Sequence, residues 1–232
     1  QDLASEIPDL DADDDFAREI KVAKRNYDRN ARIPREKIIE FVLATSAAHE
    51  AWVKARADND FASFEPHLTH IFELRRQQAE LFQPYEHPYD PLLNEYEPGM
   101  KTSDVRAIFA ALRPRQVELL RAIAESEQID NSFIKQHYPF DEQRKLGTFI
   151  AGRFGYDWER GRLDLAAHPF TTSFGAGDVR ITTRFLDRDG MSALFSTMHE
   201  TGHALYEQGL SPKYCETSLG QPASYAIHES QS

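Results

Sequence analysis

The sequence predicts a mainly α-helical protein with one small β element beside its chemistry. Apolar residues recur at three- and four-residue spacing through most of the first 155 positions, and capping residues or prolines open those segments. A single run, Val179-Arg-Ile-Thr-Thr-Arg-Phe185, alternates with period two and is rich in β-branched residues, so it reads as a strand. The 232 residues carry 27 basic and 38 acidic side chains, a net charge of −11, which repels phosphate backbones and argues against a nucleic-acid partner. No apolar run approaches the ~18 residues that a membrane helix needs, so no membrane partner is expected. Gln1–Leu10 has neither a basic nor an apolar signal-peptide region. The lone Cys215 can form neither an internal disulfide nor a cysteine-rich zinc site, which suits a reducing, cytoplasmic location.

The elements follow in order. Phe16, Ile20, Ala23 and Tyr27 form the stripe of a first amphipathic helix, with Asp13 to Asp15 available to cap it. Asp11-x-Asp13-x-Asp15 is no calcium loop, because Phe16 stands where that loop needs glycine and Val22 where it needs glutamate. Pro34 opens a second helix with Ile38, Val42, Thr45 and Trp52 on one side, and a third runs from about Pro66 to Phe82 with Leu68, Ile71, Phe72 and Leu81 inside. His67 and His70 on that helix lack a third partner and read as solvated or core histidines. The segment from Pro84 to Gly99 holds four prolines and reads as a loop or a broken short helix. Thr102 or Ser103 then caps Val105–Leu112, and Pro114 restarts the chain with Val117, Leu120 and Ile123. Asp141 caps a helix with Leu146, Phe149 and Ile150 inside, stopped by Gly155. Asp189 caps a last long helix, Met191–Gln208, ended by Gly209 in the left-handed region and made apolar by Leu194, Phe195, Met198 and Leu205.

That last helix contains His199-Glu200-Thr201-Gly202-His203. Histidines four apart project from one helix face, so two imidazoles can reach a single Zn²⁺, and Glu200 stands beside them as a general base. Chance alone yields this pattern roughly 0.03 times in a chain of this composition, so it carries weight. A catalytic zinc takes three protein ligands. Glu207 lies roughly 12 Å along the axis from His199 at ~1.5 Å per residue, too far to share the metal. Spacing leaves Glu216 and Glu229 as candidates for the third ligand.

His168-Pro169-Phe170, Asp178-Val-Arg180-Ile-Thr182, the His199–His203 motif and His228-Glu229-Ser230-Gln231 stand in the order and spacing of the M32 metallocarboxypeptidases, the carboxypeptidase Taq family, which this chain resembles. The segment from Tyr89 to Gly99 is similar to that family as well. The resemblance implies a neurolysin-like, deep-grooved helical zincin with a small β element beside the motif helix. It implies His199, His203 and Glu229 as metal ligands and Glu200 as general base and acid. One Zn²⁺ per chain is implied, replaceable by Co²⁺, with a homodimer and peptide substrates bearing a free C-terminal carboxylate. Arg180 is the best cation for that carboxylate, or else a structural partner of Asp178. Asp178 either orients a ligating histidine or fixes its turn. His168 reads as a structural hydrogen-bonder, and His228 either donates to the tetrahedral intermediate or packs beside Glu229. Two further family motifs, an Ile/Val-Arg-x-x-Ala-Asp and a Gly-x-x-Gln-Asp-x-x-Trp segment, do not occur in these 232 residues. The expectation is therefore an incomplete portion of the fold: a helical scaffold over 1–155 and a zinc-site region over 156–232 that continues beyond the given end. The rival readings are a zinc oligopeptidase on the same fold and a helical binding scaffold with a vestigial site.

Overall fold

The computed structural model describes residues 14–232, so Asp11 and Asp13 of the aspartate run lie outside the described residues. The chain forms two compact units, Gln1–Ala107 and Ile108–Ser232.

In the first unit Asp14 accepts a hydrogen bond from the Ala17 amide at 2.8 Å and opens α1 (Asp15–Asn30). Pro34 precedes α2 (Arg35–Asp58), and Asp60 accepts from the Ser63 amide to open α3 (Phe61–Glu80). Pro66 therefore lies inside α3 rather than at its start. Helices α2 and α3 pack together. Among the described residues the buried apolar positions are Ala17, Ala48, Ala55, Leu74 and Ala79, whereas Phe16, Tyr27, Ile38, Val42 and Phe72 are exposed, contrary to the stripes expected from periodicity. Alanine lets helix backbones approach closely, so the contact face follows the small residues. The proline-rich segment holds one short helix, α4 (Asp90–Leu93). Its buried Asp90 accepts from the amide and the hydroxyl of Thr102, which holds this carboxyl below the usual range and ties the segment to α5 (Thr102–Glu125). Helix α5 runs through Pro114 without the expected restart: a proline removes one ladder bond, and the ladder resumes on either side.

In the second unit α6 (Phe140–Phe154) starts after Pro139, with Asp141 in its first turn rather than at its cap, and closes on Gly155 at φ 104°. Its buried face is Gln143, Gly147 and Ala151; Leu146 and Phe149, expected inside, are exposed. The expected strand is β3 (Val179–Thr183), centre of a three-stranded sheet. It pairs parallel with β1 (Leu163–Leu165) and antiparallel with β2 (Thr171–Ser173), with Ile181 opposite both Leu163 and Thr171.

Helix α7 (Gly190–Gln208) packs on α6 and on this sheet. Asp189 caps it by accepting from the Ser192 amide at 3.0 Å. Gly209 ends it at φ −83°, in the right-handed rather than the left-handed region. The buried face is Ala193, Thr197, Thr201 and Ala204, while Phe195 is exposed. The threonines bury without loss because Thr197 and Thr201 donate to the carbonyls of Ala193 and Thr197, one turn back, at 2.8 and 2.6 Å. Ala204 joins a core with Ala151, Tyr156, Leu163, Val179 and Ile181, flanked by Trp158. After Gly209 the chain passes through two single-turn 3₁₀ segments, Pro212–Tyr214 and Ser218–Gly220, to α8 (Tyr225–Glu229), capped by Ser224 accepting from the Ile227 amide.

Tyr156 spans the core, its hydroxyl donating to the Val179 carbonyl at 2.6 Å, and burial pushes this phenol up to about 12 from 10.0. The neutral phenol is therefore favoured in the folded state. Its contribution is complete below the unfolded pKa and lost as pH climbs toward the folded one. Unfolding followed by denaturant titration should show stability falling between pH 10 and 12. Tyr156→Phe should be less stable at pH 8 by about 1–2 kcal/mol and should flatten that alkaline decline. An unchanged decline in the variant would assign it to other groups.

Candidate metal centre

One turn of α7 separates His199 from His203, whose ring centroids stand 4.8 Å apart. Helix α8 lies against this turn. A Cβ at Gly202 would run into the backbone carbonyl of Gln231, so glycine at this position is what admits the end of α8. The approach brings Glu229 to the histidines: one donor atom each from His199, His203 and Glu229 falls within 4.8 Å of the others, with His203 Nε2 and Glu229 Oε2 at 3.6 Å. Glu216, the other candidate left by spacing, is not in this group. His67 and His70 are absent from it too. Donors about 2.1 Å from a tetrahedral ion stand roughly 3.4 Å apart, so small side-chain rotations close this triangle on a metal. Two imidazoles and a carboxylate suit a borderline divalent cation.

The electrostatics favour ligation. His203 is buried, and that desolvation holds its imidazole below the ordinary range, with the opposing pull of Glu229 next in size. A neutral imidazole keeps its lone pair for a cation. Glu200, between the two histidines, is 5% exposed. The Thr171 hydroxyl of β2 lies 2.6 Å from its Oε2 and 3.0 Å from its backbone carbonyl. The strand next to the motif thus holds the carboxylate that the motif helix presents.

The other candidates fall at different places. Arg180 forms a fork with Asp178, Nε to Oδ1 at 2.8 Å and a terminal nitrogen to Oδ2 at 2.7 Å, and its guanidinium lies 5.1 Å from the Phe174 ring centre. That fork holds the Asp178 carboxyl below its usual range and takes up both its oxygens, so it is Arg180 rather than a ligating histidine that Asp178 engages. His168 is exposed in the loop between β1 and β2. His228 turns to Glu207, Nε2 to Oε1 at 3.0 Å, and stacks on His203 with centroids 4.6 Å apart and planes inclined by 15°. Sequence reasoning missed Thr171 and the Glu207–His228 pair. Thr171 follows His168-Pro-Phe170 directly, which is the sole local signal for it; the pair joins residues 21 apart and has none.

The chain is similar to known metallopeptidases. The family model described as Carboxypeptidase Taq (M32) metallopeptidase matches residues 1–232. Carboxypeptidase 1 of Bacillus subtilis is 37% identical over 223 residues, covering 96% of this chain and 44% of the relative. The crystal structure of BsuCP superposes with a TM-score of 0.90 at 37% identity, covering 95% of this chain and 45% of that one. The M32 carboxypeptidase from Deinococcus radiodurans R1 gives 0.85 at 38% identity, with 99% and 46% covered. The chain thus spans less than half the length of the relatives it matches. The family match runs from the first residue to the last, and the chain belongs to the carboxypeptidase Taq (M32) metallopeptidase family.

Proposed function

We propose that this chain carries the reaction centre of a zinc-dependent carboxypeptidase, which releases C-terminal residues from peptides. The observation that carries the reading is the His199–His203–Glu229 triangle with the buried Glu200 carboxylate on the same helix turn. His199, His203 and Glu229 would hold the ion. A bound Zn²⁺ would supply Lewis acidity, polarising the scissile carbonyl and acidifying a water.

The chain's own groups do the rest. Glu200 accepts a proton from the attacking water as its oxygen bonds to the carbonyl carbon. When the C–N bond breaks, Glu200 returns that proton to the departing amine nitrogen. Thr171 steers the carboxylate through its 2.6 Å hydrogen bond, so the base meets the water in one orientation. Arg180 is the cation offered to the substrate's terminal carboxylate, with Asp178 holding the guanidinium plane. The names of the relatives support the carboxypeptidase class over an oligopeptidase. A cytoplasmic location and a homodimer belong to the same proposal, resting on the single exposed cysteine and on the resemblance.

Three outcomes are expected. In the full-length enzyme Glu200→Gln should keep its zinc, by elemental analysis, while kcat on a short peptide falls about 10²- to 10⁴-fold, because glutamine fills the space but takes no proton. Wild-type turnover in that variant would remove Glu200 from the role. Dialysis should strip zinc from Glu229→Ala and leave it in Glu216→Ala, since a site left with two imidazoles loses most of its affinity; the reverse pattern would exchange the two glutamates. Amidating the substrate's C-terminus should lower kcat/KM at least ~10-fold, as the arginine then faces a neutral group. Equal rates on acid and amide would point to an oligopeptidase.

A further inference from the structure

Helix α8 rests against α7. It is five residues long, none of them buried, and Tyr225 and Ile227 are exposed. A helix this short does not persist on hydrogen bonding alone. Yet it carries Glu229, a carboxylate that has to meet two imidazoles fixed on another helix. Contacts with α7 help to set its position.

The contacts that do so occupy one strip of α7. Gly202 admits the Gln231 backbone, His203 offers its ring face to His228, Tyr206 meets the His228 ring edge-on at 4.9 Å, and Glu207 bonds His228 Nε2 at 3.0 Å. The Glu207 and His228 side chains are 11% and 15% exposed, in contrast to the 49% of Glu229. A carboxylate so far from water requires its partner, which makes the bond hard to break without moving α8. His228 precedes Glu229 directly, so whatever fixes the imidazole fixes the start of the next residue.

We infer that the Glu207–His228 hydrogen bond is a latch that delivers Glu229 to the metal site, making Glu207, which cannot itself reach the ion, a positioning residue for the third ligand. The inference rests on the reading of Glu229 as a ligand. The same imidazole is stacked at 15° on His203. The stretch from His199 to Glu207 thereby encodes both two metal ligands and the seat of the segment bringing the third.

The test is Zn²⁺ affinity, by competition with a chromophoric chelator, together with the visible absorption of the Co²⁺ form. Glu207→Ala and His228→Phe should each weaken zinc about 10- to 100-fold and alter the cobalt spectrum as Glu229→Ala does. Glu207→Gln should remain within about threefold of the wild type, because its amide oxygen still accepts from Nε2–H. Adding Glu207→Ala to Glu229→Ala should weaken zinc no further, since the latch acts only through that ligand. His228→Phe keeps a ring on His203 and decides the question if the alanine variant fails to fold. Undiminished affinity in Glu207→Ala or His228→Phe, or a Glu207 effect that persists in full without Glu229, would overturn the latch while leaving the ligand assignment intact. Undiminished affinity in Glu229→Ala would overturn the ligand assignment and the latch with it.

Discussion

Helix α7 buries three ionisable side chains, Glu200, His203 and Glu207, at 5%, 8% and 8% exposure, and each needs a partner in place of water. The partners come from opposite sides of the helix in sequence. Strand β2 sends the Thr171 hydroxyl to Glu200, and α8 sends Glu229 to His203 and His228 to Glu207. The far end of the helix is tied down as well. The Gln208 side chain accepts from the Asp157 amide at 3.0 Å and donates to the Asp157 carbonyl at 2.9 Å, and Arg160 donates to the carbonyls of Gln208 and Ala176. The polar groups that would be liabilities in an ordinary buried helix are here the means by which the neighbouring segments are placed.

All four residues at the proposed centre lie in the Ile108–Ser232 unit, as do the sheet and both hydrogen-bonding partners. A local unit thus suffices to bring the donors together. The sheet contributes by its order. With β3 in the middle, its buried Val179, Ile181 and Thr183 face the core, and the outer β2 is left free to aim Thr171 at the motif helix.

Much of this was legible in the sequence, and the divisions are physical. The motif helix announced itself through Asp189, the His-x-x-x-His spacing and Gly209, and β3 through alternation, because these signals are local and chemically narrow. Three-residue strands such as β1 and β2 are too short for a period to show. Periodicity of large apolar residues does not by itself mark the contact faces formed within these 232 residues. Phe195, Phe149, Phe72 and Phe16 are exposed, while alanine, glycine and threonine make the closest approaches. Spacing eliminated Glu207 as a ligand, yet only the tertiary contact with His228 shows what that glutamate does; the choice between Glu216 and Glu229 likewise required the chain's path after Gly209.

The seam between α6 and α7 has a consequence for how such a sequence can drift. Gly147 faces Thr197 so closely that a Cβ there would stand 3.3 Å from the Thr197 hydroxyl, and Ala151 and Ala204 are fully enclosed nearby. A methyl group added at Gly147 requires the Thr197 side chain, on the helix that carries both imidazoles, to give by a few tenths of an ångström. Small residues at this seam thus matter to the centre through the steric room they leave rather than through any chemistry of their own.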